Sequence, residues 1–116
     1  MIRVLICDDQ VVVTEGLEMI LSVDPEIEVV GLAYGGAEVI QKAEELHPDL
    51  ILMDLNMPGI NGIQATREIH KVHPEIKILV LTTFGDDEWI FDAIRSGALG
   101  YLLKGTPREE LIRAVK

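Results

Sequence analysis

Leu50-Ile51-Leu52-Met53 is an uninterrupted aliphatic run that closes on an aspartate, Asp54; four residues later Pro58-Gly59 marks a turn. From about Gly62 to His73 the apolar residues Ala65, Ile69 and Val72 then fall on one helical face. Four apolar residues without alternation read as a strand buried on both sides, and a helix directly after it reads as a crossover. The fold follows from whether this unit recurs.

It recurs upstream and downstream. Ile2–Cys7 is a strand-like run, followed by a helical stripe of Val13, Leu17, Ile20 and Leu21 within 12–23. Asp24-Pro25 ends that helix, because the residue before proline avoids helical backbone. Ile27–Ala33 is β-branched and strand-like, and Ala37–Leu46 places Val39, Ile40, Ala43 and Leu46 on one face. Beyond the central unit, Ile78–Leu81 is a fourth strand. Trp89, Ile90, Ala93 and Ile94 mark a helix that stops at Gly97. Leu99–Leu103 is a fifth strand. Thr106-Pro107-Arg108-Glu109 has the spacing of a capping box, and a last helix carries Leu111, Ile112 and Val115. Five β-α units in succession predict an α/β fold, a five-stranded parallel sheet with helices on both faces.

The composition agrees. The 116 residues suit one domain, and aromatics are only 4%, so the core must be aliphatic. Twenty acidic residues against ten basic ones give a net charge of −10, which disfavours direct contact with a phosphate backbone or an anionic membrane. No apolar run approaches a membrane span, and no signal peptide is read at Met1; the expected location is cytoplasmic. Cys7 stands alone and reads as a buried small hydrophobe, not a redox or metal group. His47 and His73 precede prolines at helix ends and are expected to cap or face solvent, as His70 is expected to face solvent. Asp86, Asp87 and Glu88 suit a helix start.

In such a sheet, ligands bind beyond the carboxyl ends of the strands. Asp8 and Asp9 follow the first strand, Asp54 ends the third, Thr82 and Thr83 follow the fourth, and Lys104 follows the fifth. The second strand adds nothing comparable, as expected of an edge strand. Three converging carboxylates repel one another, and a hard divalent cation relieves the conflict. Mg²⁺ suits oxygen donors and recruits phosphate, while zinc would want His or Cys ligands at a spacing that is absent. Lys104 offers a compact charge to a phosphoryl oxygen and Thr82 a hydroxyl, so a carboxylate here could act as a nucleophile and become an aspartyl phosphate.

Taken together, C-D-D-Q (7–10), M-D-L-N-M-P-G-I-N-G (53–62), L-T-T (81–83) and G-Y-L-L-K (100–104) resemble the receiver domain of bacterial response regulators. E-G-L at 15–17, N-M-P-G-I-N-G and G-Y-L-L-K-G look most like the NarL/LuxR-type branch. The resemblance, not the spacing, implies the flavodoxin-like strand order 2-1-3-4-5. It implies that Asp54 is the phosphoacceptor, that Asp9 ligates Mg²⁺ directly with Asp8 acting partly through water, and that Asn56 lends its main-chain carbonyl. Thr82 would be the switch hydroxyl, Tyr101 the switch aromatic and Lys104 the phosphate-binding lysine. Two departures stand out. Gly105 replaces the proline that commonly follows the lysine, so no cis-proline bond is expected; Phe84 is apolar where some relatives are polar, beside the path of attacking water.

The expected function is therefore a two-component receiver domain over residues 1–116. It takes a phosphoryl group from a sensor histidine kinase, forms a phosphorylation-linked homodimer, and controls a DNA-binding domain that would follow in a longer chain. The helical pattern runs to Lys116 without a stop signal, which fits a piece cut from such a protein. Two rivals stand beside it: a Mg²⁺-dependent phosphatase with an aspartyl nucleophile, and a receiver-like dimerisation module that is never phosphorylated.

Overall fold

The computed structural model describes residues 1–55, 57, 59–82 and 87–116, with side chains described for all of these but 87–89. Strands and helices alternate: β1 Ile2–Cys7, α1 Val11–Ser22, β2 Ile27–Ala33, α2 Gly36–Leu46, β3 Leu50–Asp54, α3 Gly62–Val72, β4 Lys77–Thr82, α4 Asp87–Arg95, β5 Gly100–Leu103 and α5 Arg108–Val115. All four strand pairs are parallel, and the order is β2-β1-β3-β4-β5. β2 is an edge, as its lack of rim residues implied.

The two-residue period of the strands sorts the core into two halves. Leu5 and Cys7 of β1 join Ile51 and Met53 of β3 and Ile78 and Val80 of β4 against the helices α2, α3 and α4. Val4 and Ile6 join Leu50, Leu52, Leu79 and Leu81 against α1 and α5, which contribute Leu21, Leu111 and Val115. Both faces of the three central strands are therefore covered, which is why their sequences are continuously apolar instead of alternating. Among the described residues no helix is long and apolar enough to cross a membrane.

Two helix starts differ from expectation. The capping box anticipated at Thr106 does not form: Pro107 is the N-cap of α5, and the Thr106 hydroxyl donates to the Leu103 carbonyl at 2.6 Å, closing the turn after β5. A capping box does form at α3. Asn61 Oδ1 accepts from the Gln64 amide at 2.9 Å while Gln64 Oε1 accepts from the Asn61 amide at 3.1 Å. The N-x-x-Q spacing was readable, and it explains how a helix that begins with glycine is held firmly beside Asp54.

Candidate functional site

Register brings the rim residues together. Cys7 pairs with Met53, so Asp8 and Asp54, one step beyond each, lie at neighbouring strand ends. Thr82 pairs with Leu103, which puts Lys104 beside the end of β4, where its amide donates to the Thr82 carbonyl at 2.8 Å. Asp8 is fully buried, and its Oδ1 accepts from the Gln10 amide at 2.9 Å, an interaction that fixes the turn into α1. Asp54 and Thr82 are each only 2% exposed, whereas Asp9 faces solvent.

Asp8, Asp9 and Asp54 each present a carboxylate oxygen within 4.8 Å of the others. Lys104 bridges two of them: its Nζ lies 2.9 Å from Asp8 Oδ2 and 3.1 Å from Asp54 Oδ1. Burial works against the ammonium, but Asp8 and Asp54 outweigh it and hold the Lys104 pKa above its ordinary value. So the lysine is charged, and it is shared. The donor set, three carboxylates with no imidazole or thiolate among them, fits a hard divalent cation such as Mg²⁺.

The backbone approach to Asp54 is tight. A Cβ on Gly62 would fall 2.1 Å from the Asp54 carbonyl oxygen, so only glycine lets the first turn of α3 pack on the end of β3; the Gly62 amide donates to the Leu55 carbonyl at 3.1 Å. Sequence reading missed this role.

Cys7 precedes Asp8 but faces the core, 3.4 Å from Met57 Sδ, and burial followed by the charges of Asp54 and Asp8 pushes its thiol pKa up. A thiol held protonated is no nucleophile, which agrees with the hydrophobe reading. Tyr101 lies on the edge strand β5 and is half exposed. Asn56, Thr83, Phe84 and Asp86 lie outside the described residues, as do the side chains of Asp87 and Glu88. The bond after Lys104 is trans, and Gly105 has φ 136°. Behind Lys104, between α1 and α5, a cleft of about 330 Å³ is lined by Val12, Leu17, Ile20, Leu103 and Leu111 among others. Lys104 itself lines it, but no carboxylate does among the described residues, so the acidic cluster lies outside the cleft.

With this geometry in hand, the kinship of the chain is direct. Residues 4–116 match the response regulator receiver domain family. The oxygen regulatory protein NreC of Staphylococcus aureus is 46% identical over 115 residues, covering 98% of this chain and 53% of that protein. The transcriptional regulatory protein LnrK of Bacillus subtilis is 44% identical over 115 residues, covering 99% of this chain and 52% of that protein. The chain thus spans about half the length of the curated relatives it matches. Among solved structures, the signal receiver domain of NarL from Mycobacterium tuberculosis superposes with a TM-score of 0.93 at 31% identity, covering 98% of this chain and 92% of that one. The flavodoxin-like order of the strands, the acidic rim and these likenesses agree, and the chain belongs to the response regulator receiver domain family, in its NarL/LuxR-type branch.

Proposed function

We propose that this domain accepts a phosphoryl group on Asp54 from the phosphohistidine of a sensor kinase, and that the modified domain switches its contacts to control transcription. The observation that carries the reading is the Lys104 ammonium lying between Asp8 and Asp54, beside three mutually close carboxylates. An Asp54 oxygen forms the new P–O bond as the donor's P–N bond breaks; the electron pair returns to the imidazole, which takes a proton from water. Asp8, Asp9, Asp54 and the main-chain carbonyl of Asn56 would hold Mg²⁺. When bound, the ion neutralises the carboxylates and the phosphoryl oxygens.

The residues of the chain then have distinct work. Buried Asp54 is held in place by the packing of Gly62 and by Lys104. Lys104 trades a carboxylate partner for a phosphoryl oxygen, an interaction that exists only in the modified state and so biases the equilibrium. Thr82, at the end of β4, supplies a hydroxyl to the same group, and Tyr101 on the edge strand reports the change to the surface. The domain is a signalling module and not a turnover enzyme. In the whole protein a C-terminal DNA-binding domain and a phosphorylation-linked homodimer carry the output, and the cytoplasm is the compartment. The acidic charge of this domain suits that division, since it leaves DNA contact to another part.

The test is to incubate the protein with acetyl phosphate, with and without Mg²⁺, and weigh it. One Mg²⁺-dependent phosphoryl adduct supports the reading. Continuous release of phosphate over many turnovers would point to a phosphatase, and no adduct would point to an inert dimerisation module.

A further inference from the structure

The far end of the sheet, opposite Asp54, carries a second group of titratable side chains. Two similar stretches, Leu46-His47-Pro48-Asp49 and Val72-His73-Pro74-Glu75, end α2 and α3. His47 is the C-cap of α2, with φ 46° in the left-handed region, and His73 is the C-cap of α3. The His73 side chain is only 14% exposed, and both of its ring nitrogens face carboxylates. Nε2 lies 2.5 Å from Glu44 Oε2 on α2, and Nδ1 lies 3.4 Å from Glu75 Oε1 in the turn toward β4. The His47 ring packs edge-on against it, with centroids 5.3 Å apart. Arg3 and Asp49 also reach this end, but the Asp49 carboxylate accepts from the Arg3 backbone amide at 2.9 Å and the Arg3 guanidinium donates to the His47 carbonyl at 2.8 Å.

A neutral imidazole has one donor and one lone pair, so it would aim that lone pair at a carboxylate; only the imidazolium suits both contacts. We propose that His73, as an imidazolium gripped by Glu44 on one side and Glu75 on the other, is a proton-controlled clasp that fastens α2 to the end of α3 and releases it as the pH rises.

The direction of titration agrees. The hydrogen bond that His73 donates to Glu44 raises it above its ordinary 6.5, against an opposing effect of burial, with the charge of Glu44 and the hydrogen bond to and charge of Glu75 adding to the rise. A raised histidine contributes fully below 6.5, and the contribution is lost as pH climbs through its own higher value. Glu44 is lowered from 4.5 by the same bond, so on the acid side the clasp holds until pH falls through that lower value. Its window lies between the two. The other end of α2 gives the clasp a reach toward the site: a Cβ on Gly36 would fall 2.1 Å from the Ile60 carbonyl oxygen, so α2 also abuts the loop that follows Asp54.

Hydrogen exchange of the α2 amides, corrected for intrinsic rates and compared at about pH 6 and about pH 8, reads the clasp directly. The wild type is expected to protect Gly36–Leu46 at the lower pH and to lose part of that protection at the higher one. His73→Gln should show the reduced protection at both. Glu44→Gln, a surface change on a helix, should do the same and should lower the pH at which the His73 ring titrates in NMR. Equal wild-type protection at the two pH values, or a His73 titration unmoved in Glu44→Gln, would overturn the proposal.

Discussion

Replacing Lys104 with methionine tests how the rim is held together. The apolar stem and most of its packing survive the change, while the ammonium between Asp8 and Asp54 is lost. Breaking a fully buried ion pair costs about 3–5 kcal/mol. Lys104 is 24% exposed on its side chain, so solvent screens part of that. The two carboxylates can also relieve their repulsion by taking up a proton. These discounts bring the expected loss to about 2 kcal/mol, or roughly 10 °C in melting temperature for a domain of this size. The assay is thermal unfolding at neutral pH, followed by circular dichroism, once with EDTA and once with saturating Mg²⁺. The loss should appear in EDTA and shrink by half or more with Mg²⁺, because a divalent cation neutralises the same carboxylates. An unchanged melting temperature in EDTA would refute the claim that the bridge holds the rim. A loss of the same size in both buffers would show that lysine and cation do not share those oxygens.

Other expectations follow from the same contacts. Gly62→Ala drives a methyl into the Asp54 carbonyl, so it should cost about 1–3 kcal/mol in chemical denaturation and slow labelling by acetyl phosphate. Thr66 is fully buried in α3, and its hydroxyl has no hydrogen-bond partner among the described residues; Thr66→Val should therefore leave stability level or raise it by about 1 kcal/mol, where a lost hydrogen bond would lower it. Leu21→Ala empties a fully buried site between α1 and the sheet and should cost about 2–5 kcal/mol by urea titration. Asp24 is held below its ordinary 3.8 by the Glu26 amide first and Lys116 next, so its contribution is complete above 3.8 and lost as pH falls through the lower value; Lys116→Ala should weaken that acid dependence in melts taken across the range.

The alternation of strand and helix was open to reading because both faces of the central sheet are covered. Leu50–Met53 had to be continuously apolar, and each helix had to carry one stripe. Strand ends then predicted that Asp8, Asp54, Thr82 and Lys104 share a rim, and register bears this out. The strand order itself was supplied by family resemblance. Boundaries slipped where side chains compete for the same backbone: Thr106 had the spacing of a cap, but its hydroxyl was taken by Leu103. The close approach of Gly62 to Asp54 was hidden, because a glycine in one sequence does not reveal what lies against it. His73 and Glu44 are 29 residues apart, and no local pattern joins them. Only the packing of α2 against α3 does.

The central claim is that Asp54 itself takes the phosphoryl group. The most direct measurement is to label the protein with acetyl phosphate and Mg²⁺, reduce the acyl phosphate with borohydride, digest, and locate the reduced residue by tandem mass spectrometry. The account predicts conversion of Asp54 to homoserine, with none at Asp8 or Asp9 and none in Asp54→Ala, which should still fold because one repelling carboxylate has been removed from the rim. Reduction at Asp8 or Asp9 in the wild type, or undiminished labelling of Asp54→Ala, would contradict it.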